Sequence, residues 1–197
     1  MPKRAIRQLL LARRKLLPVI EAQCAARRAQ QALIATPEFV LARRVILYSP
    51  IHGEVDTREI MEASWSAGKD VFLPAVCGED LRFIRVASEG DFKKGAFGIL
   101  EPCQTGEALP PGRADIIVLP GVAFDLFGRR IGYGKGYYDR ALHCLEGTGR
   151  LFGFCYDFQL VDEIAGEPHD VAVDVVITER RMIRPSVSNR SEEVREN

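Results

Sequence analysis

The 197-residue sequence lacks net charge, because 27 acidic side chains balance its 27 basic ones. A chain without a basic excess has no overall field that attracts nucleic acid or an anionic membrane. The sequence also lacks an apolar run long enough to span a membrane or to form the core of a secretory signal. We therefore expect a compact cytoplasmic protein that binds neither nucleic acid nor membranes.

Zinc-binding and disulfide patterns are absent as well. No cysteines form a C-x-x-C pair, and no histidines have the H-x-x-x-H spacing of a zinc site. The residues concerned are Cys24, Cys77, Cys103, Cys144 and Cys155, with His52, His143 and His169. Scattered cysteines in odd number are typical of unpaired thiols in a reducing compartment. A metal site in this chain must therefore depend on carboxylates.

Two common phosphate-binding motifs are missing from the glycine-rich segment, residues 132–136. A P-loop has Ser or Thr after its lysine, whereas Gly136 follows Lys135, and it has glycine where this chain has Arg129. The dinucleotide fingerprint G-x-G-x-x-G also fails, because the third glycine comes one residue early. The segment is therefore typical of neither a P-loop NTPase nor a dehydrogenase.

What the glycine-rich segment does have is a glycine at every second position, after an apolar run at 116–119. Glycine allows positive φ and close approach of a ligand, so successive N–H groups can converge on one phosphate. Arg130 and Lys135 add full charges, and Asp139 adds an oxygen ligand for Mg²⁺. The pattern indicates an anion-binding loop; the alternative is an ordinary turn between a strand and a helix.

Helical and strand patterns alternate along the chain, without an internal repeat. A first helix is predicted up to Leu17, where Pro18 interrupts the pattern, and a second one at 20–34. A third helix is predicted to begin after Thr36, its N-cap. Two more are predicted at 56–67, with an Asp56/Glu59 capping box, and at 136–145. Strands are predicted at 45–48, 71–73, 81–86, 116–119, 151–155 and 173–177. Residues 81–86 alternate in polarity, as in a hairpin at a sheet edge.

The strand pattern predicts the fold class. The runs that begin at residues 45, 116 and 173 are continuously apolar, as in parallel strands that are covered on both faces. We expect a three-layer αβα sandwich with a mostly parallel central sheet, formed as a single domain by residues 1–183. Binding sites are expected at the carboxyl ends of its strands. Residues 184–197 have no apolar periodicity, and we expect a disordered tail there.

The chain resembles the 5-formyltetrahydrofolate cyclo-ligases, also called 5,10-methenyltetrahydrofolate synthetases. The resemblance is closest in Leu-Pro-Gly-Val-Ala-Phe-Asp (119–125) and Gly-Arg-Arg-Ile-Gly-Tyr-Gly-Lys-Gly-Tyr-Tyr-Asp-Arg (128–140). It extends to a basic N-terminal helix and to segments 48–57, 95–102, 153–159 and 169–179. Only the last dozen residues fall outside it. The resemblance implies an ATP- and Mg²⁺-dependent cyclisation of 5-formyltetrahydrofolate to 5,10-methenyltetrahydrofolate, with release of ADP and phosphate, through a phosphorylated formyl oxygen.

The resemblance, together with the loop chemistry, implies roles for individual residues. The expected ATP-binding residues are Lys3, Arg4, Arg7, Arg130, Ile131, Gly132, Tyr133, Gly134, Lys135, Gly136, Tyr137 and Tyr138. The expected folate-binding residues are Ser49, Glu54, Tyr133, Gly134, Lys135, Gly136 and Tyr137. Asp139 and Asp174 are the expected Mg²⁺ ligands. Lys135 and Arg130 are expected to stabilise the transition state, Lys135 above all.

Some of these residues have simpler explanations. The cations near the N-terminus could form a solvated helix face, and Glu54 could be an acid that favours a helix N-terminus. Asp174 lies in an apolar run and needs a partner, because an unpaired buried charge is costly. Three further aromatic residues are candidates for the same pocket, Phe97, Phe124 and Tyr156, whereas Trp65 is expected in the core.

Two other classes of function stay open on the sequence alone. The chain could be a non-catalytic folate or nucleotide-binding module with the same fold. It could also be an enzyme of this layered fold that acts on a phosphosugar or a CoA ester, without an ATP requirement. We expect the protein to be a monomer.

Overall fold

Eight strands form the central sheet within the residues that the computed structural model describes, 2–94, 100–103, 106–148 and 150–185. The helices are α1 (Lys3–Lys15), α2 (Val19–Ile34), α3 (Pro37–Leu41), α4 (Arg58–Ser66) and α5 (Tyr137–Leu142). The strands are β1 (Arg44–Ile46), β2 (Asp70–Cys77), β3 (Asp80–Val86), β4 (Phe92–Lys94), β5 (Leu100–Pro102), β6 (Ala108–Leu109), β7 (Ile116–Pro120), β8 (Ala123–Asp125), β9 (Arg130–Ile131), β10 (Leu151–Phe154), β11 (Leu160–Val161), β12 (Val175–Ile177) and β13 (Met182–Ile183).

The central sheet is mostly parallel, in the order β13-β12-β10-β7-β1-β2-β3-β6. All pairs from β12 to β2 are parallel. At one edge β13 pairs antiparallel with β12, and at the other edge β3 and β6 are added in antiparallel pairs. The predicted α/β class with a mostly parallel sheet is confirmed. The predicted hairpin is also confirmed, since β3 pairs antiparallel with β2 along its whole length.

The apolar strands are covered on both faces. Val45 and Leu47 pack in a core cluster with Leu33 of α2 and Ile60 of α4. Ile46, between them in sequence, packs in a second cluster that contains Leu142 of α5. Because successive strand residues point to opposite faces, a continuous apolar run is required when helices lie on both sides. This arrangement gives the three layers that were expected.

A smaller three-stranded sheet, β11-β8-β9, lies against the central one. A Cβ on Gly153 of β10 would lie 2.4 Å from the ring of Phe124, so glycine lets β8 approach β10 closely. Ile6 and Leu10 of α1 pack in one cluster with Ala123 and Ile131 of this sheet. The small sheet therefore holds α1 beside the chain that leaves β9, which is the glycine-rich segment.

Several element boundaries differ from the sequence prediction. The predicted Asp56/Glu59 capping box is not formed: α4 begins after Thr57, and Asp56 accepts from the Arg58 amide, at 3.0 Å. Gln30 of α2 supplies the acceptor instead, for the amides of Glu59 and Ile60 at 2.8 and 3.3 Å. A tertiary contact thus replaces the local one. By contrast, the Thr36 hydroxyl accepts from the Phe39 amide, as predicted for an N-cap.

The C-terminal end differs in part from the expected tail. Arg184 belongs to the described structure and forms an ion pair with Glu38 of α3, at 2.8 Å. Residues 186–197 lie outside the described residues. Within the described part of the chain, no helix is both long and apolar enough to cross a membrane.

Candidate active site

A cleft of about 760 Å³ opens where β1 and β7 end. Its walls come from the residues after these strands, from β2, from α1 and from the glycine-rich segment with the first turn of α5. The lining residues that concern us are Lys3, Arg7, Ser49, Glu54, Pro120, Gly121, Arg130, Ile131, Gly132, Tyr133, Gly134, Lys135, Gly136, Tyr137, Tyr138, Asp139, Glu167, His169 and Asp170. The cleft therefore lies at the carboxyl ends of parallel strands, as the fold class predicts.

The N-terminal half of α1 contributes two cations to the cleft. The Arg7 Nε donates to the Gly132 carbonyl at 2.8 Å. The Lys3 Nζ forms ion pairs with Glu167 Oε1 at 2.8 Å and with Asp170 Oδ2 at 2.6 Å. These carboxylates raise the pKa of Lys3, although burial opposes them. Helix α1 is thereby tied to two different walls of the cleft.

The glycine-rich segment bends tightly along the cleft. Gly134 and Gly136 have φ angles of 94° and 66°, in the left-handed region that favours glycine, and α5 begins directly after Gly136. Arg140 of α5 holds the segment in place, because its guanidinium donates to the Lys135 carbonyl at 2.9 Å and to the Glu79 carbonyl at 3.0 Å. The Lys135 side chain itself is exposed at the cleft.

Arg130 is a buried cation with one unused donor. Its Nη2 donates to Asp139 Oδ1 at 2.7 Å, and its guanidinium lies 5.6 Å from the centre of the Tyr138 ring. Burial lowers the pKa of Arg130, but the Asp139 charge opposes this and arginine stays protonated in proteins. The buried Nη1 has no hydrogen-bond partner among the described residues. A buried donor without an acceptor is costly, so it suits an anionic ligand in the cleft.

Carboxylates gather near Arg130 and Lys3. The donor atoms of Glu167, His169 and Asp170 all lie within 4.8 Å of one another. Asp139 approaches the same segment, because its Oδ1 accepts from the amide of Val171 at 3.2 Å. The cleft therefore presents cations and hard oxygen ligands side by side at one end.

A single buried carboxyl marks the other end of the cleft. Glu54 is only 7% exposed, and its Oε2 accepts from the Ile51 amide at 3.0 Å. Its Oε1 is buried without a hydrogen-bond partner among the described residues. Burial raises the pKa of Glu54 to about 7, against the Ile51 hydrogen bond, the Arg14 charge and the Tyr133 hydroxyl, which lower it. Glu54 therefore has a free acceptor for a ligand that carries N–H groups.

This geometry can be compared with that of known proteins. A family model described as the 5-formyltetrahydrofolate cyclo-ligase family matches residues 1–179. The chain belongs to the 5-formyltetrahydrofolate cyclo-ligase family. A 5-formyltetrahydrofolate cyclo-ligase from Escherichia coli K12 is 31% identical in an alignment 171 positions long, which covers 84% of this chain and 94% of that protein.

Solved structures of relatives have the same fold. A 5,10-methenyltetrahydrofolate synthetase from Aquifex aeolicus is 38% identical, with a TM-score of 0.83 over 93% of each chain. A second one, from Mycoplasma pneumoniae, is 27% identical, with a TM-score of 0.74 over 91% of this chain and 99% of that one. The likeness therefore covers the fold almost from end to end.

Most of the residues expected from the cyclo-ligase resemblance border one cleft. Arg4 does not line it and is exposed. The helical repeat explains the difference, because Lys3 and Arg7 are four residues apart on one face of α1 and Arg4 points about 100° away. The sequence prediction of Arg4 as a nucleotide contact is therefore not supported by its position.

Asp139 borders the cleft, whereas Asp174, the other expected Mg²⁺ ligand, does not. Asp174 directly precedes β12, and its Oδ2 accepts from the amide of Leu151, the first residue of β10, at 3.0 Å. This is the amino end of the parallel strands, whereas the cleft lies at their carboxyl ends. The sequence pattern placed the acid in a strand but could not tell which end of the sheet it would occupy. Asp170, four residues earlier, is the acid that borders the cleft.

Three residues were missed by the sequence reasoning: Glu167 and Asp170, which line the cleft, and Arg14, which lies behind it and borders the second cavity. Arg14 is 4% exposed and follows Ile6 and Leu10 at intervals of four, on the buried face of α1. A charged residue in the apolar repeat of a helix could have indicated it. Asp170 lies within a segment that carries the cyclo-ligase resemblance, but its distance in sequence from Asp139 concealed that both residues border one cleft.

The remaining aromatic candidates have other places. Phe124 is fully buried beneath the cleft rather than in it. Tyr156 lines a second cavity of about 560 Å³, on the other side of Glu54. Trp65 packs on the core and donates to the Val86 carbonyl at 2.9 Å, as expected of a core residue. Phe97 lies outside the described residues.

Proposed function

We propose that this protein catalyses the ATP-dependent cyclisation of 5-formyltetrahydrofolate to 5,10-methenyltetrahydrofolate, with release of ADP and phosphate. The observation that carries the proposal is one continuous cleft with opposite chemistry at its ends. The Arg130 end offers an unused buried donor beside further cations, whereas the Glu54 end offers an unused buried acceptor. A triphosphate and a pteridine are complementary to these two ends. Membership of the cyclo-ligase family supports the same assignment.

The nucleotide phosphates are proposed to bind at the glycine-rich segment. Lys135 is exposed at the cleft, where its ammonium can stabilise the negative charge on the phosphoryl group during transfer. Arg130 Nη1 lacks an acceptor that a phosphate oxygen would supply. Arg7 holds the Gly132 carbonyl and so fixes the start of the segment. The open left-handed turns of the segment leave its backbone accessible to the phosphates.

The donor set near Arg130 fits the magnesium ion that the family resemblance implies. Carboxylate oxygens are the preferred ligands of Mg²⁺, and the Lys3 ammonium between Glu167 and Asp170 indicates that this place favours a cation. We assign Asp139 and Asp170 as the residues that would hold the ion, with Glu167 beside them. When bound, Mg²⁺ would neutralise phosphate charge.

The pteridine is proposed to bind at Glu54. Its ring edge carries several N–H donors, and Glu54 Oε1 is a free buried acceptor. Tyr133 and Tyr137 border the space between Glu54 and the glycine-rich segment, where an aromatic face can stack on a flat ring. Ser49, three residues after the end of β1, lines the same part of the cleft.

The chemistry requires positioning and charge neutralisation rather than a protein nucleophile. Transfer of the γ-phosphoryl group of ATP to the formyl oxygen gives an imidoyl phosphate and ADP. N10 then attacks the formyl carbon and loses its proton, the C–O bond breaks, and phosphate leaves. Holding the two substrates in line and offsetting the developing charge are the main contributions of an enzyme to such a transfer. Lys135 and Arg130 are proposed to supply that charge.

One absorbance assay tests the proposal. The protein is incubated with 5-formyltetrahydrofolate, ATP and Mg²⁺ while the ultraviolet absorbance of the methenyl product is recorded, with each component omitted in turn. Product that requires all three components is the expected result. A binding module would bind folate and nucleotide without forming product, and an enzyme for phosphosugars or CoA esters would bind little folate and need no ATP. Either outcome would contradict the proposal.

The five cysteines support a cytoplasmic location, which we also propose. All five are free thiols, and Cys24 and Cys144 are exposed. Exposed free thiols persist in reducing compartments, whereas secreted chains use them in disulfides.

A further inference from the structure

Arg14 is a buried charge at the centre of three cleft segments. Arg14 is 4% exposed and lies in the last turn of α1, whereas Lys3 and Arg7 lie in the first turns. A buried guanidinium is costly unless acceptors surround it, because it loses its hydration. The acceptors around Arg14 therefore explain why an arginine is tolerated on the apolar face of this helix.

Each acceptor of Arg14 belongs to a different segment. Its Nε donates to the His52 carbonyl at 3.0 Å, in the turn after β1. Its Nη1 donates to the Gly121 carbonyl at 3.4 Å, directly after β7. Its Nη2 donates to the hydroxyl of Tyr133, in the glycine-rich segment. A planar guanidinium can bridge three acceptors in this way, whereas an ammonium cannot match the same fork.

The contact with Arg14 restrains both the hydroxyl group and the ring of Tyr133. Because the hydroxyl oxygen accepts from Arg14, its O–H points away from the guanidinium. The guanidinium also lies 5.9 Å from the centre of the Tyr133 ring, and the ring of His52 packs edge-on against it at 5.8 Å. Arg14 and His52 therefore fix the orientation of Tyr133 at the cleft.

The contact with His52 fixes a strained turn. His52 has a φ of 50°, unusual for a residue other than glycine, and Gly53 follows with a φ of 75°. This turn presents Glu54, whose amide donates to the Ile51 carbonyl at 3.0 Å. A backbone conformation of this kind persists only where its surroundings hold it, and the Arg14 hydrogen bond to the His52 carbonyl is such a restraint.

We propose that Arg14 is a positioning residue for the folate end of the cleft, where it holds Tyr133 and the Glu54 turn in one binding arrangement without lining the cleft itself. The inference rests on the proposed function, because it concerns folate binding. Arg14 lies two turns away from Arg7 along α1 and is not part of the phosphate end. Its loss should therefore weaken folate binding and leave nucleotide binding intact.

The charge of Arg14 gives the inference a second readout. The groups that face Glu54 are Arg14 from α1, Tyr48 after β1, Tyr133 and Tyr138 from the glycine-rich segment and α5, and Tyr156 after β10, with His52 and Asp56 beside it in the chain. Arg14 is the cation that lowers the pKa of Glu54. Folate affinity should rise with pH as Glu54 ionises near neutrality, and removal of the Arg14 charge should move this rise to higher pH.

The test compares Arg14→Gln and Arg14→Lys with Arg13→Gln. Arg13 is an exposed neighbour whose guanidinium lies over the Phe158 ring at 4.6 Å and lines neither cavity. For each variant, kcat and the KM values for 5-formyltetrahydrofolate and ATP are measured across the neutral pH range. Circular dichroism and thermal unfolding report whether the fold is kept.

Arg14→Gln should raise the folate KM about tenfold or more, change the ATP KM less than about twofold, and move the pH midpoint upward. Arg14→Lys should raise the folate KM by a smaller factor and keep the wild-type midpoint, because the charge stays while the fork of donors is lost. Arg13→Gln should behave as wild type.

The inference is overturned if Arg14→Lys and Arg14→Gln keep the wild-type folate KM, or if they raise both KM values equally. Should Arg14→Gln fail to fold, the lysine variant decides alone by its folate KM. A wild-type protein that forms no methenyl product would contradict the proposed function itself. An active wild type with an unchanged folate KM in the lysine variant would remove only the role of Arg14.

Discussion

At the scale of single residues, two buried atoms without hydrogen-bond partners distinguish the two ends of the cleft. Among the described residues, the buried side-chain atoms without a hydrogen-bond partner are Arg130 Nη1, Glu54 Oε1 and Glu38 Oε2, and the first two border the cleft. Folded proteins leave few such atoms, so each one needs an explanation. A ligand that brings acceptors to Arg130 and donors to Glu54 provides it for both.

Lys135 is expected to act on the transition state more than on binding. Its exposed ammonium pairs with no carboxylate in the described residues, so it is available to the phosphoryl group as charge develops. Lys135→Ala should lower kcat about a hundredfold while the folate KM changes less than about threefold. Lys93→Ala, at an exposed lysine of β4, is the matched control. An unchanged kcat would remove Lys135 from the catalytic residues.

The magnesium assignment makes a second prediction at this scale. Asp170→Asn and Asp139→Asn should each raise the Mg²⁺ concentration needed for half-maximal activity by about tenfold or more, because a neutral amide is a weaker ligand. Asp174→Asn is the control, since that carboxylate binds the Leu151 amide at the opposite edge of the sheet. A shift in the Asp174 variant equal to that in the Asp170 variant would contradict the proposed assignment of Asp170.

Glu54 should make stability depend on pH. Burial raises its pKa from 4.5 to about 7, so the folded state binds this proton more tightly than the unfolded state does. The stabilisation is complete below about pH 4.5 and is lost as pH rises through about 7. Glu54→Gln, which has no such proton, should gain up to about 3 kcal/mol in free energy of unfolding relative to wild type between these limits. Urea unfolding over this pH range measures it, and a difference that does not vary with pH would be inconsistent with a buried carboxyl.

At the scale of elements, β10 and the glycine-rich segment use glycine in different ways. A Cβ at Gly153 would lie 2.4 Å from the Phe124 ring, whereas a Cβ at Gly132 would meet no atom within 4 Å. Gly153→Ala should therefore lower the free energy of unfolding by about 1–3 kcal/mol, through overpacking. Gly132→Ala should keep the stability and lower ATP affinity, because its methyl group would occupy the proposed phosphate space. Equal unfolding midpoints for Gly153→Ala and wild type would contradict the close approach of β8 to β10.

The elements also show how far sequence reasoning reaches. The strands with continuous apolar runs and the glycine-rich turn before α5 could be predicted, because both follow from neighbouring residues. The N-terminus of α4 could not, since Gln30 caps it from another helix. Asp170 and Asp174 are four residues apart and both precede β12, yet Asp170 borders the cleft and Asp174 lies at the amino end of the strands. Arg14 was missed because helical periodicity predicts which face of a helix is buried. It does not predict whether a charged side chain on that face has hydrogen-bond acceptors around it, as Arg14 does.

At the scale of the whole molecule, the parallel sheet brings together segments that are distant in sequence. The ends of β1 and β7 are neighbours in the sheet, and α1 crosses them while it packs on the small sheet through Ile6 and Leu10. One helix thus contacts the acidic segment by Lys3, the glycine-rich segment by Arg7 and the Glu54 turn by Arg14. The site exists only in the folded chain, which is why a match over residues 1–179 supports it better than any single motif.

The most direct measurement is a crystal structure with a non-hydrolysable ATP analogue, Mg²⁺ and 5-formyltetrahydrofolate. We predict the triphosphate along residues 132–136 next to Arg130, the metal between Asp139 and Asp170, and the pteridine edge on Glu54. Density for nucleotide and folate elsewhere on the protein, with the cleft empty, would contradict the account.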